Sequence, residues 1–530
     1  MSIISVVFVL FICALILVYY AVGRVAGKGQ WVVLLVGSLA FYWLQGTWLT
    51  MLVLVLVAAV TWLGSLAFAR LDGQAKERRK ATRDRAERKR IKQSFARRKR
   101  VVLVATLVAS LGILSYFKYW NVLLNYVGMA DSPTSLGILL PLGISFYTMQ
   151  SVGYLIDTYN QKCEAERNFA RHLLFVSYFP QVIQGPINPY ETLGPQLCAR
   201  HAFSVEGTRR GLLRFGYGLL KKVCIANVLG GTVTKLLASL TNPAMPGSIA
   251  VYGVLLYSIQ MYADFSGGID MVEGVSELFG IQMAPNFRQP YFSTSLSVFW
   301  QRWHMSLGVW VRSYVFYPLA VTKPFRQFGR WGTKRLGRTV GRTLPACVAN
   351  VIVFLIVGAW HGIELHYLAW GLFNGVVIAV SDLLSPVFDK VCAVLRINRK
   401  SGPYLVFAML RTFAVVNVAR YFDCITDLSV ALSALRRSVL EFHASMFASV
   451  IPSTGISYQP YYGVPPIVLV ACALVFVVSV ACERGADVRA CIMGWNVVPR
   501  FALYVGIGAM IAISFGLETV SGGTFLYANF

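Results

Sequence analysis

Long apolar runs separated by short polar connections dominate this sequence. A run of roughly 17–25 apolar residues can cross the hydrocarbon core of a bilayer as a helix, because a helix satisfies its own backbone hydrogen bonds. Candidate runs lie near residues 2–22, 30–46, 48–69, 101–117, 137–156, 168–184, 210–230, 247–263, 344–360, 366–384, 403–422, 464–482 and 498–516. Strands are not indicated, since the runs do not alternate apolar and polar residues. The pattern predicts an all-α polytopic membrane protein with about 11 spanning helices, plus re-entrant or interfacial helices.

The composition agrees with a membrane protein. Hydrophobic residues make up 56% of the 530 positions and charged residues 14%, whereas soluble domains carry about a quarter charged residues. The ten cysteines have no paired spacing, and several lie inside apolar runs, where cysteine acts as a small hydrophobe. We therefore expect neither a zinc site nor a disulfide framework, and we predict no metal. A cysteine nucleophile stays open as an alternative.

One segment accounts for +10 of the net charge of +26. Residues 71–100 carry 14 Lys and Arg against four acidic residues. Apolar runs flank this segment, and it lacks the interleaved aromatics of a nucleic-acid-binding patch, so no nucleic-acid partner is predicted. We expect a helix on the cytoplasmic surface that obeys the positive-inside rule and contacts anionic lipid headgroups.

The cytoplasmic assignment of that basic segment sets an expected topology. Counting spans backwards puts the connection Gly23–Gly29, with Arg24 and Lys28, inside and the N-terminus outside. The first apolar run has no basic segment before it and no small-residue cleavage site. It is therefore expected to be a retained span rather than a removable signal peptide.

The chain divides into three segments that differ in their pattern of apolar and polar residues. Residues 1–120 are simple spanning helices with the basic segment 71–100, residues 121–385 form a core, and residues 386–530 are C-terminal helices and a tail. Between 140 and 315 the apolar sequence is interrupted by Gly, Pro, Asp, Gln and aromatic residues. Broken helices with polar residues are tolerated at membrane depth where they line a wet cavity. The alternative is that these residues only kink packed helices.

Two histidines are the candidate catalytic groups. His361 ends an apolar run and is flanked by glycines and Trp360, and His304 lies in an aromatic-rich segment. A titratable side chain at membrane depth is costly and usually faces a cavity. Because the histidine pKa is about 6.5, either ring could deprotonate a hydroxyl as a general base. The alternatives are a packed structural histidine and, for His304, an interface position beside Arg302.

Other catalytic and transport classes lack their motifs. There is no Gly-x-Ser-x-Gly elbow or Ser-His-Asp order, and no Walker A sequence. Secondary transport stays open, because broken helices also build ion and substrate sites, although the inverted repeat typical of such transporters is not seen.

A series of short motifs runs in order over roughly residues 100–380. The motifs are Phe117–Trp120, Leu140–Tyr147, Tyr178–Pro180, Gly185–Ile187, Tyr262–Gly267, Asn286–Tyr291, Phe299–Trp300, Arg302–Leu307 and Gly358–Gly362. Through them the chain resembles the membrane-bound O-acyltransferases, and within that family the bacterial branch similar to alginate O-acetyltransferases. The N-terminal helices and the C-terminal third fit by hydropathy only.

The resemblance implies a fold with about 11 membrane helices around a central tunnel, and residues 121–385 as the catalytic core. It implies that His361 is the general base and that His304 is a supporting site that holds or polarises the incoming thioester. Further residues expected at the substrate site are Trp360, Arg302, Trp303 and Asp264.

The C-terminal sequence Phe525–Phe530 looks like the F-x-Y-x-x-F motif of this branch or its small partner proteins. The resemblance implies that Tyr527 takes the acyl group as a relay. A phenol activated by His361 could attack a thioester and form an aryl ester, which is itself a good acyl donor. The alternative is an aromatic anchor at the membrane interface.

The function that the resemblance implies is O-acetylation of an exported or cell-surface polysaccharide, carried out in the bacterial inner membrane. Acetyl-coenzyme A or another acyl thioester is the expected cytoplasmic donor, with no bound cofactor. An extracytoplasmic SGNH-type acetyltransferase or esterase is the expected partner, and the polysaccharide is the acceptor. The alternatives are D-alanyl transfer to teichoic acid and, in another class, a lipid or polymer transporter.

Overall fold

The computed structural model describes residues 3–126, 140–445 and 463–517. Within these ranges the regular structure is helical and no strand occurs. The helices are α1 Val6–Val25, α2 Gln30–Gln45, α3 Trp48–Ala81, α4 Arg85–Tyr126, α5 Ile144–Tyr159, α6 Phe169–Ser177, α7 Phe179–Gln184, α8 Tyr190–Cys198, α9 Val205–Leu220, α10 Val228–Ser239, α11 Gly247–Leu278, α12 Leu296–Arg302, α13 Met305–Val311, α14 Tyr317–Ala320, α15 Lys323–His361, α16 Leu365–Val394, α17 Gly402–Cys424, α18 Leu428–Leu440, α19 Pro466–Glu483, α20 Val488–Met493 and α21 Val497–Leu517.

Eight helices in the described part of the chain are long and apolar enough to cross a membrane. They are α1, α3, α4, α15, α16, α17, α19 and α21. The prediction of an all-α polytopic membrane protein is confirmed. Eight is fewer than the 11 or so spans expected, because the other apolar runs form shorter or more polar helices.

Local chemistry explains two of those interruptions. The run at 168–184 divides into α6 and α7 at Tyr178, because Pro180 fits the first turn of a new helix but cannot continue the preceding one. Helix α5, which lies within the run at 137–156, begins at Ile144 because the preceding residue, Gly143, adopts φ 67°. A left-handed backbone conformation of this kind favours glycine.

The described residues form two compact units. The first comprises Met1–Phe215 and Met271–Ala284, and the second comprises Gly216–Asp270 and Pro285–Phe530. Each unit is made of two pieces of chain, so neither coincides with one of the three sequence segments 1–120, 121–385 and 386–530. The second unit contains every residue of the site described below.

In the first unit the basic segment, residues 71–100, is part of two long helices. It forms the end of α3 and the start of α4, separated by a turn after Ala81, rather than one separate surface helix. Lys99 crosses between the two helices and bonds the Asp72 carboxylate at 2.8 Å and the Tyr159 carbonyl oxygen at 3.1 Å. Most of the other charged side chains of the segment are exposed, as expected for a surface that meets water or lipid headgroups.

In the second unit α15 and α16 pack closely along their length. A Cβ atom on Gly358 would lie 2.5 Å from the Tyr367 carbonyl oxygen, and one on Gly371 would lie 2.4 Å from the Phe354 carbonyl oxygen. Small residues of this kind let membrane helices approach each other's backbone. This packing places the end of α15 against the start of α16.

Helix α15 is broken at Gly337, which adopts φ 83°. Its first part, 323–336, carries five Lys and Arg residues, and the apolar run follows the break. Gly337 has open space where a side chain would be, so its left-handed backbone, rather than close packing, accounts for glycine at this position.

Candidate active site

The second unit contains a cavity of about 490 Å³. This size is within the range of small-molecule sites. Its polar and titratable lining residues are Ser297, Gln301, His304, Arg312, Tyr317, Asn350, His361, Asp382, Arg420 and Asp423. Its aromatic lining residues are Trp300, Trp303, Phe316, Phe354 and Trp370. Both candidate histidines therefore line one cavity, with Trp303 beside them.

His361 is the last residue of α15, and the chain continues in an extended conformation at Gly362. Aromatic rings surround its imidazole. The Trp370 ring meets it edge to face with 5.4 Å between ring centroids, the Tyr367 ring stacks at 6.2 Å, and the Trp360 ring lies at 4.7 Å. Trp360 thus packs on the histidine without being one of the residues that line the cavity.

His304 precedes α13 and has a left-handed backbone, with φ 47° and ψ 52°. Such a conformation costs a non-glycine residue about 1–3 kcal/mol and is found mostly at functional sites. Two backbone hydrogen bonds fix the loop around it, from Met305 N to the Asn286 carbonyl at 2.9 Å and from Arg288 N to the Arg302 carbonyl at 3.0 Å. The imidazole is buried, 2% exposed.

Asn286 sets the tautomer of His304. Its side-chain oxygen accepts from the Ser306 amide at 3.1 Å and from the Ser306 hydroxyl at 2.9 Å, and it lies 3.1 Å from His304 Nδ1. A backbone amide can only donate, which identifies the Asn286 atom as oxygen, so Nδ1 carries the proton and Nε2 carries the lone pair. Burial lowers the pKa of His304 to about 3, which keeps the ring neutral near pH 7.

Aromatic packing holds His304 from the side of α11. The Phe265 ring meets the imidazole edge to face, with 4.8 Å between centroids. Phe265 also contacts Phe287 at 5.0 Å and Trp303 at 6.2 Å. The wall of the cavity at His304 is therefore continuous with a packed aromatic cluster, which excludes water from that side of the ring.

Two of the residues predicted at the substrate site make ion pairs instead of lining the cavity. Arg302 bonds both oxygens of the Glu483 carboxylate at 3.0 Å, which joins the end of α12 to the end of α19. Asp264 bonds Lys222 at 2.6 Å, and both side chains are almost completely buried. The roles expected of Arg302 and Asp264 at the substrate remain predictions.

Lys222 belongs to a π-helical turn, Lys221–Asn227, between α9 and α10. Its neighbour Lys221 bonds the Asp270 carboxylate at 2.5 Å and the Ser266 hydroxyl at 2.9 Å. Two adjacent lysines are thus paired with acidic residues six positions apart on α11, which ties this turn to the helix that carries Phe265.

Sequence reasoning missed all four charged residues of the cavity wall. Two are Arg312 and Asp382, and the other two are Arg420 and Asp423. Both are on α17, where Arg420 Nη1 bonds Asp423 Oδ2 at 2.5 Å and the guanidinium lies over the Trp303 ring at 4.8 Å. No motif marks this helix. The available signal was an arginine and an aspartate at the end of an apolar run, because intramembrane charges are usually functional.

The remaining predicted site residue, Tyr527, lies outside the described residues, as does the whole of Phe525–Phe530. The relay role of Tyr527 stays a prediction. Among the described residues, no group of three His, Cys, Asp or Glu side chains lies close enough together to hold a metal ion.

The helices and the cavity define a polytopic membrane protein with a two-histidine site. Residues 166–329, which include His304, match the sequence model of MBOAT, the membrane-bound O-acyltransferase family. The chain is 34% identical to the probable alginate O-acetylase AlgI of Pseudomonas aeruginosa over 290 residues, 53% of this chain and 51% of that protein. The chain thus spans about half the length of the alginate relatives that it matches.

Two further relatives extend the comparison. The peptidoglycan O-acetyltransferase of Helicobacter pylori is 28% identical over 471 residues, which is 82% of this chain and 83% of that protein. The teichoic acid D-alanyltransferase of Bacillus subtilis is 28% identical over 240 residues, 45% of this chain and 58% of that protein. The family-model match and these relatives together relate the chain to the membrane-bound O-acyltransferase family.

Proposed function

We propose that the protein is a membrane-embedded O-acetyltransferase that takes an acetyl group from a cytoplasmic thioester for O-acetylation of an exported or cell-surface polysaccharide. The observation that carries the proposal is that His361 and His304 line one cavity of about 490 Å³. The similarity to alginate and peptidoglycan O-acetylating proteins supports acetyl as the group transferred.

His361 is the proposed general base. Its position at the end of α15, between the rings of Trp370 and Tyr367, holds the imidazole in one orientation at the cavity wall. There it takes the proton of an attacking hydroxyl as the oxygen adds to the thioester carbonyl carbon. The proton then passes to the sulfur as the C–S bond breaks, so that a thiol leaves.

His304 is the proposed supporting residue. Because its Nδ1–H donates to Asn286, Nε2 accepts a hydrogen bond rather than donating one. In the proposed reaction His304 therefore accepts from a hydroxyl or water in the cavity, and a different group has to donate to the carbonyl oxygen of the thioester.

The cellular arrangement belongs to the same proposal. Acetyl-coenzyme A is the proposed donor, and the protein is placed in the inner membrane of a bacterium with its N-terminus outside and residues 71–100 in the cytoplasm. Tyr527 is the proposed acyl relay, and an extracytoplasmic SGNH-type enzyme then carries acetyl to the polysaccharide. What supports the orientation is the charge of residues 71–100, through the positive-inside rule.

D-alanyl transfer to teichoic acid is the second candidate function. It is favoured by the similarity to the teichoic acid D-alanyltransferase of Bacillus subtilis. The two functions share the hydroxyl attack on a thioester and differ in the acyl group and its carrier.

The test is intact-mass analysis of the detergent-purified protein after incubation with acetyl-coenzyme A, followed by peptide mapping. Wild type, His361→Ala and Tyr527→Phe are compared, with His443→Ala as a matched histidine outside the cavity. An acetyl adduct on Tyr527 in wild type and His443→Ala, absent from the other two, is the expected result. Wild type that stays unmodified by acetyl-coenzyme A but accepts D-alanine from its carrier thioester favours the second candidate.

A further inference from the structure

Acyl transfer in the cavity also needs a group that stabilises negative charge on the carbonyl oxygen, and neither the two histidines nor the aromatic rings supply it. Attack on a thioester places negative charge on the carbonyl oxygen, and catalysis of acyl transfer depends on hydrogen-bond donors aimed at that oxygen. His304 in the tautomer set by Asn286 presents a lone pair at Nε2. The donor has to come from elsewhere in the cavity wall.

Arg420 has donors available for this task. Arg420 is one of the residues that line the cavity, and it is only 4% exposed. Nη1 is engaged with Asp423, whereas Nε and Nη2 make no hydrogen bond of ordinary geometry to any described residue. The Tyr291 phenol interacts with the guanidinium and donates its own hydrogen to the Ser258 carbonyl oxygen at 2.7 Å, so its oxygen can accept from one of these two donors and leaves the other for a ligand.

The planar guanidinium of Arg420 holds its N–H donors in a fixed, forked arrangement. Nε–H and Nη2–H lie on the same edge of the planar guanidinium, so both can point at one oxygen or at a pair of oxygens. The Asp423 carboxylate holds the opposite side, and the Trp303 ring supports the flat face at 4.8 Å. A buried donor without an acceptor is costly, so the donor that Tyr291 does not take calls for an acceptor that arrives with the ligand.

We propose that Arg420 is a catalytic residue that binds the carbonyl oxygen of the acyl thioester and stabilises the oxyanion formed during transfer. This inference rests on the proposed acyl-transfer function. The hydroxyl oxygen forms a bond to the carbonyl carbon, its proton moves to the His361 imidazole, and the π electrons of the C=O bond move to the carbonyl oxygen, where Arg420 donates. Re-formation of C=O breaks the C–S bond, and the sulfur takes the proton from His361.

The experiment measures single-turnover acetyl transfer from acetyl-coenzyme A, together with the dissociation constant of coenzyme A itself, for the full-length protein in detergent. The variants are Arg420→Gln, Arg420→Lys and the double variant Arg420→Gln/Asp423→Asn. The double variant removes both charges, so Asp423 is not left as an unpaired buried carboxylate. Arg411→Gln is the matched control, because Arg411 is on the same helix but donates to the Thr294 carbonyl at 2.8 Å.

We expect Arg420→Gln and the double variant to transfer acetyl about 10²–10³-fold more slowly than wild type. Arg420→Lys should recover part of that rate, since it keeps one charged donor without the fork. The coenzyme A dissociation constant should stay within about threefold of wild type in all of them, and Arg411→Gln should transfer normally. A thermal unfolding profile for each variant shows that the compared proteins are folded.

Three results overturn the inference. Transfer by the folded Arg420 variants at nearly the wild-type rate means that the oxyanion is stabilised by another group. A loss of affinity for coenzyme A as large as the loss of rate means that Arg420 binds the phosphates of the donor instead. Wild type that transfers no acyl group from any thioester overturns the proposed function, and this inference with it, which separates that failure from the other two.

Discussion

The side-chain oxygen of Asn286 lies 3.1 Å from Nδ1 of His304 and accepts two further hydrogen bonds from Ser306. One amide oxygen thus collects three donors at the start of α13. The two bonds from Ser306 hold the amide in place, and the amide in turn fixes the orientation of the imidazole. A side chain that is absent from the cavity lining therefore decides which nitrogen of His304 carries the proton.

Replacement of Asn286 should disturb His304 without touching the ligand. In Asn286→Leu the imidazole loses its acceptor and is no longer held in one tautomer, and we expect the transfer rate to fall by about 10²-fold, the scale of a lost acid–base contribution. Asn286→Asp keeps an oxygen at the same place and should retain much more activity. The measurement is the single-turnover rate of both variants against His304→Ala.

A double variant separates a positioning role from general damage. If Asn286 acts through His304, Asn286→Leu should cost little more in a His304→Ala background, because interacting residues are non-additive. Independent, multiplicative losses in the double variant would show that Asn286 affects activity by a route other than His304.

Close packing of α15 on α16 makes Gly371 intolerant of a side chain. A Cβ atom there meets the Phe354 carbonyl oxygen at 2.4 Å, so Gly371→Ala has to push the helices apart. We expect a loss of about 1–3 kcal/mol in unfolding free energy. Gly508→Ala is the control, since open space surrounds that position on α21. Thermal unfolding in detergent micelles should show a lower midpoint only for Gly371→Ala, and equal midpoints would contradict the close approach.

Variants of the buried Lys222–Asp264 pair can show whether Asp264 stabilises the fold or acts on the substrate. Asp264→Asn leaves Lys222 charged in a buried site, which should cost about 3–5 kcal/mol of stability. Replacing both, as Lys222→Met/Asp264→Leu, should recover most of that loss and most of the activity. A stable double variant that still lacks activity would instead support the substrate role predicted from the sequence. Unfolding midpoints and transfer rates are measured on the same preparations.

Burial of His304 should make the protein less stable in acid. Its folded-state pKa is about 3, below the value of about 6.5 expected in the unfolded chain, so the unfolded state binds more protons between these values. Stability is therefore complete above pH 6.5 and declines as the pH falls towards 3, by about 2 kcal/mol at pH 5 for this residue. His304→Gln should flatten the pH dependence of the unfolding midpoint. An unchanged slope would mean that the pKa of His304 is the same in the folded and unfolded protein.

The motif-bearing residues were the part of the site that could be predicted. His361 and His304 stood out because a titratable ring in an aromatic, apolar segment is uncommon. Of the polar interruptions between 140 and 315, only those from Ser297 onwards are among the residues that line the cavity. Arg420 and Asp423 were not predicted, since helix α17 carries no motif. Their place in the site depends on tertiary contacts with Trp303 and the cavity, which the sequence of α17 does not show.

The helices were predicted unequally for physical reasons. Apolar runs with uniform hydropathy, such as those in α1 and α19, became single helices. The run at 168–184 is more polar, since it contains Arg171, His172 and two glutamines. It breaks at Tyr178, because Pro180 cannot continue the preceding helix. Tertiary hydrogen bonds, such as the one between Asn286 and His304, join residues far apart in sequence and leave no periodic pattern.

The break at Gly337 divides α15 into a basic part and an apolar part, and it sets the depth of His361. From Leu344, where the apolar run begins, to His361 the helix rises about 27 Å at about 1.5 Å per residue, nearly the ~30 Å thickness of the hydrocarbon layer. We expect the basic part on the cytoplasmic side, by the positive-inside rule. In the proposed orientation the imidazole lies close to the outer leaflet, and an acyl group from the proposed cytoplasmic donor travels almost the full membrane thickness before it reaches His361.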